Sequence, residues 1–219
     1  AGMAGAGLLA ARAALRLGAG KVFLGLLDDP GFAVDPLFPE IMLRPVGDLH
    51  LRATALAIGP GLGKSDMASQ HVRRALAFSG PLLLDADALN LIAANPALQT
   101  LLTQRQAPTV LTPHPTEAAR LLRVPVSEVQ ADRLGSAREL AKRFKACLVL
   151  KGCGSVLAMA DGRWFINTSG HGGMASAGMG DVLSGIILAL LAQAWPVEQA
   201  MLAGVHLHGI AAERLARKG

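Results

Sequence analysis

Apolar residues along the chain fall into two alternating patterns, short unbroken runs and longer stretches at helical spacing. Leu8–Leu17 (LLAARAALRL) has the helical spacing and predicts a helix, stopped by Gly18-Ala19-Gly20. Lys21–Leu27 (KVFLGLL) is a run without polar alternation and predicts a buried strand. Asp28–Asp48 is punctuated by prolines and predicts a loop with a short strand near Glu40–Arg44. Thr54–Ile58 predicts a strand feeding Gly59-Pro60-Gly61-Leu62-Gly63, after which Ser65 caps a helix reaching Phe78. Strands follow at Pro81–Leu84, ending in Asp85-Ala86-Asp87, and at Thr109–Leu111, ending in Thr112-Pro113-His114-Pro115. Thr116–Leu122 and Ser127–Phe144 predict helices, and Cys147–Leu150 a strand ending at Lys151-Gly152. Val156–Met159 and Trp164–Ile166 form a hairpin across Asp161-Gly162. A glycine-rich loop then leads to a helix over Asp181–Gln193, and a last helix runs from Val197 to about Arg214.

Strands alternating with helices imply crossover units on a parallel sheet, and near-continuous apolar strands imply that both sheet faces are covered. The expected fold is α/β, a mostly parallel central sheet with helices on both faces, forming a single layered α/β/α domain over residues 1–219. No internal repeat, low-complexity linker or charge block divides the chain. Ligands of such folds lie outside the carboxyl ends of the strands, which is where the unusual residues of this sequence cluster.

Composition narrows the classes of function. At 52% hydrophobic and 17% charged over 219 residues, the chain is too apolar for disorder. Its two cysteines make no disulfide scaffold and fit a reducing compartment. The net charge of +5 comes from scattered basic residues such as Arg12, Arg44, Arg73 and Arg105, while aromatics reach only 4%. With so few aromatic side chains to stack on bases, a nucleic-acid reader is not expected. Mean hydropathy is +0.40, yet the longest strongly apolar stretch, Val182–Trp195, falls short of the ~20 residues a spanning helix needs. The apolar opening has no basic segment before it, unlike a signal peptide. A soluble, cytoplasmic protein that binds neither membrane nor nucleic acid is expected.

The strongest chemical signal is Asn167–Asp181, NTSGHGGMASAGMGD. Its glycines let successive N–H groups converge on an anion, and the following helix adds the positive end of its dipole. Asp181 beside such a hole would repel phosphate, but it suits a base that takes a proton from a hydroxyl as phosphate is delivered to it. Simple stabilisation of the helix N-terminus, worth ~0.3–1 kcal/mol, is the alternative. Lys151-Gly152-Cys153-Gly154-Ser155 offers amides, a lysine and a hydroxyl to a nucleotide phosphate, without the spacing of a Walker loop. Gly59–Gly63 matches neither a dinucleotide fingerprint nor a phosphate loop, and a tight strand-to-helix turn accounts for it. Asp85-Ala86-Asp87 with Asn90 has the oxygens to hold magnesium through water; capping of a helix near Ala88 accounts for them equally. His114, stiffened by Pro113 and Pro115 with Glu117 three residues on, is either a ligand contact or a turn histidine. His206 and His208 fall on different helix faces, which argues against metal binding. Cys147 and Cys153 lack zinc spacing and are expected to be buried small residues.

Seven strings stand in the order and spacing of one known family: GMAGAGLLAARAALRLGAGKV, AIGPGLG, LLLDADALN, VLTPHPTEAARLL, VLKGCGSV, NTSGHGGMASAGMGDVLSGIILALLAQ and GVHLHGIAAE. Together they cover nearly the whole chain, which resembles the ADP/ATP-dependent NAD(P)H-hydrate dehydratases of the ribokinase-like superfamily. The resemblance implies repair of hydrated NADH and NADPH, in which the terminal phosphate of ADP or ATP activates a ring hydroxyl and elimination restores the reduced nicotinamide. It implies ADP (or ATP) as co-substrate with Mg2+, and no residue as a protein metal ligand. By this match Asp181 is the base beside the substrate, and Gly180 contacts the nucleotide phosphate through its amide. Lys151, Gly152, Cys153, Gly154 and Ser155 form the nucleotide-binding turn, while Ala6, Gly61 and His114 contact the hydrate. A homo-oligomer is implied, as is an epimerase domain, fused or partnered.

Departures from the family pattern concern the ends and the loop. The strand ending in Gly-Gly-Ser that usually precedes GMxGA is expected to be lacking, as are residues that usually close the domain after Gly219. Met179 stands where Ser or Thr is common, and His171 where Asn is common; backbone amides can form the anion hole in either case. The same residues would serve a small-molecule kinase that stops at the phosphate ester, or a catalytically silent nucleotide-binding subunit. The tyrosine-free, Ala- and Arg-rich composition tilts the donor towards ADP.

Overall fold

The computed structural model describes residues 3–27, 34–49 and 53–218. Helix α1 (Ala4–Arg16) starts before the leucine pattern does, because small residues give no periodic signal yet allow close packing. Gly7 is one such contact, with space for a Cβ only 3.0 Å from Leu24. Arg12 forks onto the fully buried Asp35, with Nε 2.7 Å and Nη2 2.8 Å from its carboxylate oxygens. This bidentate geometry ties α1 to the segment before β2. Strands β1 (Phe23–Leu26) and β2 (Met42–Pro45) pair in parallel as a separate two-stranded sheet. The Lys21–Leu27 run therefore contracts and stays out of the central sheet. An apolar cavity of about 310 Å³ lies between β1 and β3, with Leu24, Leu26, Leu56 and Ile58 on its walls. Residues 28–33 of the expected loop lie outside the described residues.

The central sheet has the order β3 (Leu56–Ile58), β4 (Leu82–Leu84), β5 (Thr109–Leu111), β6 (Cys147–Leu150), β7 (Val156–Ala158), β8 (Trp164–Ile166). The first four run parallel, in a register of Leu56 with Leu82, Leu82 with Thr109 and Val110 with Cys147. The last two form an antiparallel hairpin. Because strand side chains alternate in direction, each apolar run supplies two cores. Leu82, Leu84, Leu148 and Leu150 face α2 (Asp66–Leu76), α3 (Ala86–Ala94), α4 (Pro96–Gln104), α5 (Pro115–Leu122) and α7 (Arg133–Phe144). Leu83, Val110, Val149 and Leu157 face α8 (Met179–Ala192) and α9 (Val197–Ala216). The result is the layered α/β/α arrangement read from the sequence. None of the described helices is long and apolar enough to cross a membrane.

Two helix predictions need correction. The stretch Ser127–Phe144 is two helices, α6 (Val126–Ala131) and α7. The break is Asp132, whose Oδ1 accepts from the Gly135 amide at 2.7 Å and starts a new helix; Ser127 lies inside α6. Helix α4 was not anticipated, although its start is legible afterwards. Asn95 Oδ1 accepts from the Ala97 amide at 3.0 Å, and Pro96 occupies the first helical position. Ser65 does cap α2, accepting from Ala68 at 3.2 Å, but the helix ends at Leu76.

Candidate active site

Parallel strands deliver their carboxyl ends to one edge of the sheet. There β4 presents Asp85, β5 leads to His114, and β6 presents Lys151. The Lys151 amide donates to the Pro113 carbonyl at 2.9 Å, binding two of these strand ends together. Lys151 Nζ lies 2.8 Å from Asp85 Oδ1, and Ser184 Oγ, from α8, donates to Asp85 Oδ2 at 2.7 Å. Asp85 is 1% exposed, so its charge is answered by these two partners rather than by water.

Helix α8 enters from the other layer. Gly178 precedes it at φ +87°, a left-handed conformation that favours glycine. The next amides, of Gly180 and Asp181, have no backbone acceptor among the described residues. Those free N–H groups at a helix N-terminus make an anion site. A Cβ at Gly180 would sit 3.1 Å from Lys151 Nζ, so the bare glycine lets the ammonium lie against the helix end. The Asp181 carboxylate receives no hydrogen bond from any described residue. Partial burial, followed by the charge of Asp85, pushes its pKa above the ordinary aspartate range, against the opposing pull of Lys151.

His114 is held as the N-cap of α5. Its Nδ1 accepts from the amides of Thr116 (3.1 Å) and Glu117 (3.4 Å), while Glu117 Oε2 accepts from the His114 amide at 2.9 Å. This reciprocal box leaves Nε2 as the protonated nitrogen, 3.3 Å from Glu117 Oε1. Burial, then Lys151 and Arg120, lower the imidazole's pKa, so it sits neutral near the site. Burial raises the pKa of Glu117. Gly61 and Ala6 meet each other: at φ +65°, a Cβ on Gly61 would lie 3.3 Å from that of Ala6 and 2.1 Å from the Met3 carbonyl oxygen.

Lys151, Gly152, Cys153, Gly154, Ser155 and Gly180 line one cavity of about 620 Å³ between the hairpin and the glycine-rich loop. Asp181, His114, Gly61 and Ala6 are not on its walls. Ser155 Oγ braces the turn by donating to the Gly152 carbonyl at 3.0 Å. Two expectations fail here. Cys153 is exposed rather than buried, because the turn projects it from the sheet edge. Cys147 is part-buried, and burial pushes its thiol pKa up to about 11. Asp85, Asp87 and Asn90, the oxygens read as able to hold magnesium through water, each have a protein partner. Asp85 holds Lys151 and Ser184, Asp87 accepts from the Gly63 amide at 2.8 Å, and Asn90 accepts from Arg120 at 2.7 Å. Among the described residues no group of three His, Cys, Asp or Glu side chains could hold a metal.

Sequence reasoning missed Ser184, whose only signal was a hydroxyl inside an apolar helix. His208 is likewise buried in the cavity wall, its Nε2 without a hydrogen-bond partner among the described residues. Burial lowers its pKa.

Comparison with known proteins places the chain in a family. A family model described as NAD(P)H-hydrate dehydratase matches residues 1–219. The ADP-dependent (S)-NAD(P)H-hydrate dehydratase of Neisseria meningitidis is 45% identical over 218 residues, covering 97% of this chain and 73% of that protein. The bifunctional NAD(P)H-hydrate repair enzyme of Coxiella burnetii is 41% identical over 224 residues, covering 100% of this chain but only 44% of its own length. This chain thus spans less than half of that relative. Among solved structures, the ADP/ATP-dependent NAD(P)H-hydrate dehydratase of Bacillus subtilis, co-crystallised with ATP/Mg2+ and soaked with CoA, superposes with a TM-score of 0.84 at 35% identity over 98% of this chain and 79% of that one. A ribokinase-like superfamily protein of Enterococcus faecalis gives 0.79 at 29% identity, over 97% and 75% of the two chains. The fold is ribokinase-like, and the chain belongs to the NAD(P)H-hydrate dehydratase family.

Proposed function

We propose that this chain acts as an ADP-dependent (S)-NAD(P)H-hydrate dehydratase, returning hydrated NADH and NADPH to their reduced forms. The observation that carries the reading is the half-buried Asp181 carboxylate, free of hydrogen bonds from described residues, beside the free amides of α8 and the Lys151 ammonium. In this reading the turn Lys151–Ser155 and Gly180 hold the nucleotide, and Ala6, Gly61 and His114 hold the hydrate. Asp181 takes the proton of the ring hydroxyl while that oxygen bonds to the terminal phosphorus. The bond from phosphorus to its bridging oxygen breaks, and the electron pair leaves with the shortened nucleotide. The ring nitrogen's lone pair then expels phosphate, and loss of a proton from the neighbouring ring carbon restores the double bond. Amides and Lys151 offset charge gathering on the phosphoryl oxygens.

The nucleotide co-substrate is supported by the relatives' names; ADP rather than ATP is the finer part of the proposal. Magnesium is assigned to no residue of this chain. A cytoplasmic location follows from the composition, and a homo-oligomer and a fused or partnered epimerase domain from the resemblance alone. Incubating hydrated NADH with ADP or with ATP tests the reading by recovery of reduced-nicotinamide absorbance. A stable phosphorylated product would instead indicate a kinase, and nucleotide binding without turnover a silent subunit.

A further inference from the structure

We infer that Asp85 is a positioning residue for phosphoryl transfer: its buried carboxylate, braced by Ser184, holds the Lys151 ammonium over the first turn of α8 beside Asp181. The inference rests on the dehydratase reading above and deepens it.

Asp85 stands at the N-cap of α3, where an aspartate ordinarily accepts from the helix amides. Here it makes no such bond. Its oxygens go to Lys151 Nζ (2.8 Å) and Ser184 Oγ (2.7 Å), joining β4, β6 and α8 across the sheet edge. The following residue, Ala86, has φ +49°, a left-handed conformation unfavourable for a residue with a Cβ. Strain of this kind persists where the surroundings enforce it, and it clusters at functional sites. Asp85 and Lys151 are also only 1% and 19% exposed. A buried ion pair is weak evidence for stability, since apolar residues of similar volume often serve as well.

Electrostatics supplies the reason for keeping it. The amino end of α8 is positive, so an ammonium beside Gly180 is repelled unless an acid holds it there. Asp85 does that from behind, leaving the amides and the ammonium to face one incoming anion. Ser184 engages the second oxygen, which orients the first towards lysine. The charged groups facing Asp181 are Asp85 from the end of β4 and Lys151 from the end of β6. Helix α1 meets α8 through Leu9 and Ala10, and α9 meets it at Gly204 against Ile187.

The test is a double-mutant cycle with Asp85→Asn, Lys151→Met and the pair, following kcat, the KM for hydrated NADH and ADP affinity by calorimetry. Each single change is expected to lower kcat by ~10–100-fold with KM altered less than about threefold, and the pair to lose no more than about threefold beyond Lys151→Met, the mark of residues acting as one unit. The acid limb of kcat against pH should move down in Asp85→Asn, because a negative neighbour of Asp181 is gone; a merely structural role would not give non-additive losses with Lys151→Met at a nearly unchanged KM. Losses that multiply, or an Asp85→Asn enzyme with unchanged kcat and acid limb, overturn the proposal. If Asp85→Asn does not fold, Ser184→Ala carries the test: kcat should fall by about three- to tenfold at unchanged ADP affinity, and an unchanged kcat rejects the brace. If the wild type with ADP restores no absorbance, the dehydratase reading fails separately. Positioning is then judged on ADP affinity, which Asp85→Asn should weaken when Lys151 is present and not in Lys151→Met; equal weakening in both backgrounds rejects it.

Discussion

At Asp181 two effects push in the same direction. Partial burial and the charge of Asp85 both favour the protonated acid, and Lys151 only partly opposes them. A base must be ionised, so turnover should decline as pH falls through a value above the ~3.9 of an unperturbed aspartate. Asp181→Asn should lower turnover by ~10²–10⁴-fold while ADP titrations give an unchanged Kd; full activity in that variant would remove Asp181 from the mechanism. The raised pKa also means that the folded state holds this proton more tightly than the unfolded chain does. Its contribution to stability therefore falls as pH rises past the unfolded value. The same Asn variant should melt at a higher temperature than the wild type at neutral pH, measurable by scanning calorimetry. Lys151→Ala should weaken ADP more than it weakens the hydrate, since the ammonium faces the anion site; equal losses for both ligands would contradict the assignment.

Among the elements, α2 depends on an arginine far along the chain. Arg105 donates from Nη1 to the carbonyls of Leu76 (2.7 Å) and Phe78 (2.6 Å), from Nη2 to that of Gly80 (3.0 Å), and from Nε to Thr109 Oγ1 (3.0 Å). One guanidinium thus satisfies carbonyls at the end of α2 and sets the approach to β4, whose far end carries Asp85. Arg105→Ala leaves these acceptors short of a charged donor, so it should cost about 2–4 kcal/mol in urea unfolding. Because the change lies at the amino end of the sheet, ADP affinity of the folded variant should stay near that of the wild type. A variant as stable as the parent would show that water replaces the arginine without penalty.

Over the whole molecule, the α1–α8 contact sets how far Ala6 on α1 stands from Gly180 and Asp181 on α8. Gly185 makes that approach possible: a Cβ there would lie 2.1 Å from the Ala10 carbonyl oxygen and 2.9 Å from Ala13 Cβ. The first of these neighbours is backbone and can give way only if the helix moves. Gly185→Ala is therefore expected to push α1 off α8, at a cost of about 1–3 kcal/mol for overpacking. Ala6 rides on α1, whereas the nucleotide turn follows β6. The KM for the hydrate should consequently rise more than the Kd for ADP. Equal effects on both would show that α1 does not carry the hydrate side.

Local pattern alone determined most of the elements and the class of fold, because strand runs and helical periodicity record which faces must leave water. Glycine spacing and the order of the motifs likewise singled out Lys151–Ser155 and Asp181 as candidates, since backbone approach to an anion needs glycine wherever it occurs. Where side chains competed for the same partner, the chain was silent. The break at Asp132 and the start of α4 at Asn95 turned on single capping bonds that periodicity does not register. The oxygens of Asp85, Asp87 and Asn90 look alike as letters, yet Lys151, Ser184, Gly63 and Arg120 take them up from segments far away in sequence. Only tertiary structure decides which donor reaches a buried carboxylate first, because the desolvated charge must be answered by whatever the fold brings within hydrogen-bond distance.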